Sequence, residues 1–259
     1  LENELFFDFG KNDEANGNST LGADVNGNYW NNITNTSSLG SPVILVNDKN
    51  ETTEFSIQIT KTMSSNGILN GGLLAPEISK LGDFAIATAT QDYFHTATNG
   101  AFKISGLNKD HVYKFIMFGS RNSATARVTE FEFLGLVNHS TSHQTTGSGI
   151  ADNGYSGNDS NSPTTDYMYP DANGDITVNV NLKSGSYAHI NAMKVLEYSG
   201  IEIVEMQSLS ITGASITESG GASQLVETIL PVDTTTKNLN WSVDDTSIAI
   251  IDTDGLLKP

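Results

Sequence analysis

Ile176-Thr177-Val178-Asn179-Val180-Asn181-Leu182 alternates without a break, apolar at Ile176, Val178, Val180 and Leu182 and polar between them. Side chains along a strand point to opposite faces with a period of two, so the stretch reads as a half-buried antiparallel strand. Phe55, Ile57 and Ile59 repeat the pattern against Glu54, Ser56 and Gln58. Other runs of strand length, rich in β-formers and bounded by Gly, Asn or Asp, cover residues 5–9, 84–89, 102–104, 111–118, 128–137 and 188–196. Long amphipathic helical patterns are absent. The expected fold class is therefore all-β, as an antiparallel β-sandwich. Polar stretches at 10–41, 63–80 and 138–165 read as long loops, and such loops are usually binding surfaces or disordered; binding is expected of at least one.

The chain has 259 residues, which suits one large or two unequal domains. Its formal net charge of −17 would repel nucleic-acid phosphates and anionic headgroups, so neither nucleic acid nor a membrane surface is an expected partner. The 37% hydrophobic share is compatible with a packed core, and Ser, Thr, Asn and Gly take the place of helix-forming residues. The absence of cysteine excludes disulfides, thiolate metal sites and cysteine nucleophiles. No apolar run reaches the ~18–20 residues of a membrane span, so membrane insertion is not expected. Leu1-Glu2-Asn3-Glu4 is not a basic-then-apolar leader, and the chain is expected to be mature with any signal removed. The sequence style changes at Ser199-Gly200, where short strand-like segments begin to follow one another, which divides the chain into 1–199 and 200–259.

The second part resembles the bacterial Ig-like domain of group 2. The resemblance runs through Ser208-Leu209-Ser210-Ile211, Gln224-Leu225, Leu230-Pro231-Val232-Asp233 and Asn240-Trp241-Ser242-Val243-Asp244-Asp245-Thr246-Ser247-Ile248-Ala249, then Ile251-Asp252 and Asp254-Gly255-Leu256. Trp241 is expected as the core plug and Asp254-Gly255 as a tight turn. A sandwich of about seven strands does not fit in the residues available, so the domain is expected to be incomplete at its C-terminal end, with further linked domains beyond residue 259.

Residues 4–198 resemble a galactose-binding-like or malectin-like jelly roll, of the kind appended to polysaccharide-degrading enzymes and surface proteins of Bacteroidota. The residues that carry this resemblance are Phe7-Asp8-Phe9-Gly10, Tyr29-Trp30-Asn31-Asn32-Ile33-Thr34, Ala89-Thr90-Gln91-Asp92-Tyr93, Ile104-Ser105-Gly106-Leu107, Tyr113-Lys114-Phe115 to Gly119-Ser120-Arg121, and Asn191-Ala192-Met193. It implies carbohydrate binding and a structural calcium ion, with no ligands assigned. Calcium takes oxygen donors. The runs Asp171-Ala172-Asn173-Gly174-Asp175 and Asp24-Val25-Asn26-Gly27-Asn28 open like calcium loops but lack the later Gly and Glu, and they read as turns or loops.

Sugar binding by a β-module needs flat aromatic faces and planar polar groups. The candidates are Tyr29 and Trp30 in the first long loop, Tyr155, Tyr167 and Tyr169 around the third, and Arg121 with Asn122 after a strand. Trp30 beside a strand start fits a core role as well as a platform. Tyr155, in Asn153-Gly154-Tyr155-Ser156-Gly157, has no apolar sequence neighbours, is expected to be exposed, and is the first platform candidate. Arg121 and Arg127 are the only arginines, each a ligand clamp or a structural ion-pair partner.

Catalytic patterns are mostly missing, since there is no Gly-x-Ser-x-Gly and no His-Glu-x-x-His. His139 and His143 fall in a Ser/Thr/Gln stretch and read as solvated loop residues. Glu130 and Glu132 share a strand face as in some glycosidases, yet Phe131 and Phe133 claim the buried face, leaving the two Glu solvated. His189 and Tyr187 supply part of the Tyr, His, Arg and Gln set of jelly-roll polysaccharide lyases.

The expected function is a non-catalytic module binding plant or algal polysaccharide, with an Ig-like spacer, in a larger secreted or surface-attached bacterial protein. The alternatives are adhesin or stalk domains and, third, a jelly-roll lyase or glycosidase. The acidic balance disfavours sulfated or uronate-rich glycans, unless calcium bridges them or a local basic pocket at Arg121 and Arg127 overrides it.

Overall fold

The computed structural model describes residues 1–204, 206–213, 221–231, 234–235, 241–252 and 255–259. The chain divides into two compact units, Leu1–Ile201 and Glu202–Pro259. It is nearly all β, and helix among the described residues is limited to segments of three or four residues in the first unit.

In chain order the first unit contains β1 (Asn3–Phe9), β2 (Trp30–Ile33), β3 (Val43–Val46), β4 (Thr52–Lys61), β5 (Ser64–Asn66), β6 (Tyr93–Thr96), β7 (Asn99–Ser105), β8 (Val112–Phe118), β9 (Arg127–Leu134), β10 (His139–Thr146), β11 (Ile176–Ser184), β12 (Ala188–Ile190) and β13 (Ala192–Tyr198). The helical turns are 3-10 segments at Ile68–Asn70 and Gly82–Phe84, with α1 (Ile78–Leu81) and α2 (Ala87–Thr90). Sheet order is β2-β1-β13-β8, β10-β9-β11-β7-β4-β3 and β12-β6-β5. Strands pair antiparallel throughout this unit except β1 with β2.

The two larger sheets face each other across one core. Ile176, Val178 and Val180 of β11, Phe131 and Phe133 of β9, and Phe55, Ile57 and Ile59 of β4 meet Leu5, Phe7 and Phe9 of β1, Phe115 and Met117 of β8, and Met193 and Val195 of β13. Each such side chain contributes about 1.5–3 kcal/mol on burial, which is why the alternating strands hold their register. Glu130 carries an ion pair to Lys183 at 3.2 Å and Glu132 accepts from Asn179 at 2.8 Å, on the face opposite the buried phenylalanines.

The outer face of the four-stranded sheet is covered as well. Phe6, Trp30, Phe118 and Ala192 pack under Leu73, Leu81, Phe84, Ile86 and Ala89 of the helical segment. Buried on both sides, β1 reads Leu5-Phe6-Phe7-Asp8-Phe9 with no alternation. Here the sequence expectation needs correction, because residues 84–89 are helical turns and not a strand. A short apolar run cannot separate the two by period, and Ala87-Thr88-Ala89-Thr90 lays only Ala89 and Thr90 against the sheet.

The run 188–196 is two strands, since Asn191 interrupts it and sends β12 and β13 into different sheets. Residues expected as loops also hold strands: β2 in the first, β5 in the second and β10 in the third. His139 and His143 therefore lie on a strand, and His143 is buried with its ring stacked on Phe131 at 5.7 Å, which corrects the solvated-loop reading. The inner face of β10 is polar, so no apolar alternation announces it.

The second unit contains β14 (Ser208–Thr212), β15 (Ser223–Gln224), β16 (Val226–Leu230), β17 (Ile250–Ile251) and β18 (Leu256–Lys258). β14 pairs antiparallel with β16, and β15-β18-β17 form a second sheet. Trp241 is half-buried, and a Cβ on Gly255 would meet its indole at 3.0 Å. Val232, Asp233, Asn240 and Asp254 of the Ig-like pattern lie outside the described residues.

Candidate functional site

The small sheet β12-β6-β5 sorts its side chains by chemistry. Phe94, Ala188 and Ile190 enter the apolar core. Tyr93 and His95 alternate with Phe94, and His189 lies between Ala188 and Ile190, so these three take the other face. The register pairs His189 with His95, Asn66 with Tyr93 and Ser64 with His95. Asn66 Nδ2 stands 3.2 Å from His95 Nε2.

At the same place the six-stranded sheet changes character. Its β9 inner row runs Phe133, Phe131, Thr129, Arg127, and Arg127 at the strand start is only 8% exposed. The Arg127 Cζ lies 5.3 Å from the centre of the Tyr187 ring. Tyr187 in turn meets His95 edge-on at 5.3 Å, and Tyr93 meets His189 edge-on at 5.3 Å. His189 is held by its backbone N–H donating to Thr129 Oγ1 at 2.8 Å and by Thr145 Oγ1 lying 3.1 Å from Nδ1.

Arg121 arrives from the loop after β8 and donates from Nε to the Asn70 carbonyl at 3.0 Å, the acceptor that Tyr93 Oη also reaches at 2.9 Å. The next amide, Asn122 N, donates to Gly71 O at 2.6 Å. Gly71 sits at φ +91°, and a Cβ there would press on the Asn122 carbonyl oxygen at 2.8 Å, so this close approach requires glycine. Tyr93, His189 and Arg127 form the buried floor; His95, Tyr187 and Arg121 are the half-exposed rim.

The electrostatics are uniform in sign. Burial first, then Arg121 and Arg127, lowers the His95 pKa. Burial and then Arg127 lower that of His189 much further, with His95, Arg121 and His143 adding to it. Both imidazoles are therefore neutral at neutral pH, and each can donate and accept. Burial also raises the Tyr93 phenol, against the opposing pull of the two arginines. Arg127 Nε and Nη1, and His189 Nε2, are sealed and have no hydrogen-bond partner.

A second buried polar cluster lies close in sequence but differs in sign. Asp8 of β1 and Asp92, adjacent to Tyr93, are 2% and 1% exposed and within hydrogen-bonding reach of each other. Asp8 Oδ2 accepts from the Thr20 amide and hydroxyl, both at 3.0 Å. Burial pushes Asp8 up to about 7; burial, then repulsion by Asp8, pushes Asp92 up to about 9. Oδ1 of each has no partner. These are hard oxygens of the kind calcium takes, but two carboxylates fall short of the roughly six to eight donors it coordinates. Among the described residues no three His, Asp or Glu converge as a metal-binding group. Asp171 and Asp24 each accept backbone amides within their own turn, as turn residues do.

The seven sequence candidates do not form one site. Trp30 is 5% exposed, packs on Phe6 at 5.1 Å and donates to Asp24 Oδ2 at 2.9 Å, so the core role prevails over the platform. Tyr155 is half-buried against the helical layer, contrary to the expected exposure. Its Oη lies 3.0 Å from Ser120 Oγ and donates to Gly71 O at 3.3 Å, which ties the hydroxyl end of the ring to the protein. Arg121, Asn122 and Tyr155 do come together, with Asn122 Oδ1 accepting from Ser156 N at 3.1 Å. Tyr167 lies elsewhere, edge-on to Tyr198 at 5.4 Å and under Lys114 at 5.0 Å. Tyr169 Oη reaches Ile201 O at 3.4 Å, and Tyr29 N bonds to Asp48 O at 3.0 Å. Among individual candidates, sequence reading missed Tyr93 and His95. The available signal was alternation, with polar rings set between core residues in Tyr93-Phe94-His95 and Tyr187-Ala188-His189-Ile190.

No protein-family model and no curated protein matches the chain. Among solved structures, the carbohydrate-binding module TmCBM61 in complex with beta-1,4-galactotriose is similar at 10% identity and a TM-score of 0.28, over 56% of this chain and 90% of that one. The enzymatically active domain of bacteriophage CBA120 tailspike protein 4 is similar at 12% identity and a TM-score of 0.26, over 55% of this chain and 19% of that one. At these scores neither carries an argument about function.

Proposed function

We propose that the Leu1–Ile201 unit is a non-catalytic carbohydrate-recognition module of a larger secreted or surface-attached bacterial protein, and that it binds polysaccharide at the Arg121, His95 and Tyr187 rim. One observation carries this reading: side chains from β6, the loop after β8, the start of β9 and the approach to β12 converge beside the apolar core. Flat rings and planar donors in one place are what recognition of a sugar's C–H face and adjacent hydroxyls requires. The second unit is read as an Ig-like spacer, supported by its antiparallel β14–β16 pair and by Trp241 lying against Gly255. A structural calcium ion belongs to this reading with no ligands assigned, and the Asp8–Asp92 pair is not its site, because two carboxylates fall short of the donors it needs.

The test is affinity electrophoresis of the full chain through gels containing neutral and anionic plant and algal polysaccharides, with calcium or chelator. Retardation by one glycan, lost in Tyr187→Ala, is the expected result. A folded chain retarded by none overturns the reading in favour of the adhesin one. A second reading, catalysis at the same face, is favoured by His95, which burial and two arginines keep in the unprotonated form that a general base needs. Release of reducing ends or unsaturated sugars from the retarding glycan decides for it.

A further inference from the structure

Resting on the carbohydrate reading above, we infer that the site is selective for acidic sugars, with Arg121 and Arg127 together holding the anionic substituent of the glycan, a uronate carboxylate or a sulfate ester. Arg127 projects inward from the start of β9, and its Nε and Nη1 are sealed without an acceptor. A guanidinium cannot shed its proton, and a charge held this far from water with no carboxylate beside it costs free energy that an oxyanion meeting the accessible remainder of the group, 8% of the residue, returns.

The surroundings make this a built site. The chain carries thirty Asp and Glu against thirteen Lys and Arg, so an arginine without a carboxylate is the exception to explain. Ion pairs among the described residues are made by Lys80, Lys103, Lys183, Lys194 and His111, and neither arginine takes part in one. Arg121 repels Arg127, and no carboxylate appears among the charges that act on Arg127, His95 or His189. Tyr187 supports the Arg127 fork from one side at 5.3 Å, fixing the plane of its remaining edge. A planar, preorganised fork favours paired contacts to an oxyanion. The field of the whole chain, at a net charge of −17, opposes an anion only at long range, and salt screens it beyond about 8 Å.

Four polymers test this with the full chain: polygalacturonate, the same polymer with its carboxyl groups reduced to alcohols, a sulfated galactan and its desulfated form. Gel retardation and calorimetric affinity are the readouts, and the calorimetry is repeated at rising salt. One acidic polymer should bind about tenfold or more tightly than its neutral counterpart, and increasingly weakly as salt rises. Which acid binds identifies the substituent. Arg127→Met should lose about tenfold or more of that affinity while melting no lower than the wild type, because it removes unmatched buried donors. Arg121→Gln, on the half-exposed rim, carries the same test if Arg127→Met does not fold. Equal affinity for the acidic and neutral forms, or wild-type affinity in folded variants, overturns the inference and leaves the carbohydrate reading standing. No binding to these or to any neutral glycan overturns both.

Discussion

Asp92 and Tyr93 are neighbours in sequence, yet each opens onto a different buried polar cluster, the first acidic and the second basic. Asp8 and Asp92 face each other with almost no exposure, and their carboxyl pKa values are raised chiefly by burial. Arg121 and Arg127 also act on each other as like charges, but near neutral pH a guanidinium has no uncharged form available. The acidic pair can solve its repulsion alone, with a proton taken from water and shared across the two groups. The basic pair has no such route, and on the inference above an anion from outside relieves it. Two clusters of like charge in one domain thus differ in what they need, and on the proposed reading the chemistry of the side chain decides which is structural and which is the receptor.

The sharpest way to break this comparison is pH. The folded pair keeps protons that an unfolded chain with carboxyl pKa near 3.8 has lost, so its contribution is complete below about pH 4 and is lost as pH rises through about 7 and 9. Thermal unfolding should show Tm falling by roughly 5–10 °C between about pH 5 and about pH 9, and Asp92→Asn, neutral at every pH, should flatten that slope. A wild-type Tm independent of pH, restored to a slope by chelator, would place a cation and not a proton between the carboxylates.

A smaller effect tests how tightly the acidic pair is sealed. A Cβ on Gly10 would land on the Asp92 carboxyl group, which is buried and cannot swing aside. Gly10→Ala should therefore cost about 1–3 kcal/mol by chemical denaturation, and should not alter glycan retention at the other cluster. The smallest expected change separates support from contact at the basic end. Tyr155→Phe removes the hydroxyl that meets Ser120 and Gly71, costing about 0.5–1.5 kcal/mol of stability and leaving retention intact. A Tyr155→Phe protein that melts normally but loses retention would return Tyr155 to the contact surface.

The strands that alternate were legible in the sequence, and the clusters were not. β4, β9 and β11 announce themselves because one face is apolar and the other wet. β1 could be read only as an apolar β-forming run and the helical segment was misread as a strand, because that layer is buried on both sides and the period-two signal vanishes. β10 hides for the opposite reason, with His143, Thr145 and Thr146 buried in place of apolar side chains. Arg121 and Arg127 could be picked out as the two arginines of an acidic chain and His189 with Tyr187 as a polar pair, whereas their meeting with Tyr93 and His95 could not, since His95 and His189 become neighbours only when β6 and β12 pair. Trp30 was ambiguous and Tyr155 was misread as exposed because burial depends on the helical layer, which no local pattern near either residue reveals.

The pairing of β1 with β13 at the centre of the four-stranded sheet has a consequence for how the protein is made. Asn3 lies opposite Glu197, and the Glu2 amide donates to the Glu197 carbonyl at 2.8 Å, so the chain enters and leaves this unit side by side. During synthesis the first strand has to wait for the last, a delay of roughly 10–40 s at about 5–20 residues per second. Its buried run, Leu5 to Phe9, lacks its β13 partner for all of that time. Once closed, the adjoining ends make the unit a cassette that can be spliced into a loop of another protein without prising its host apart.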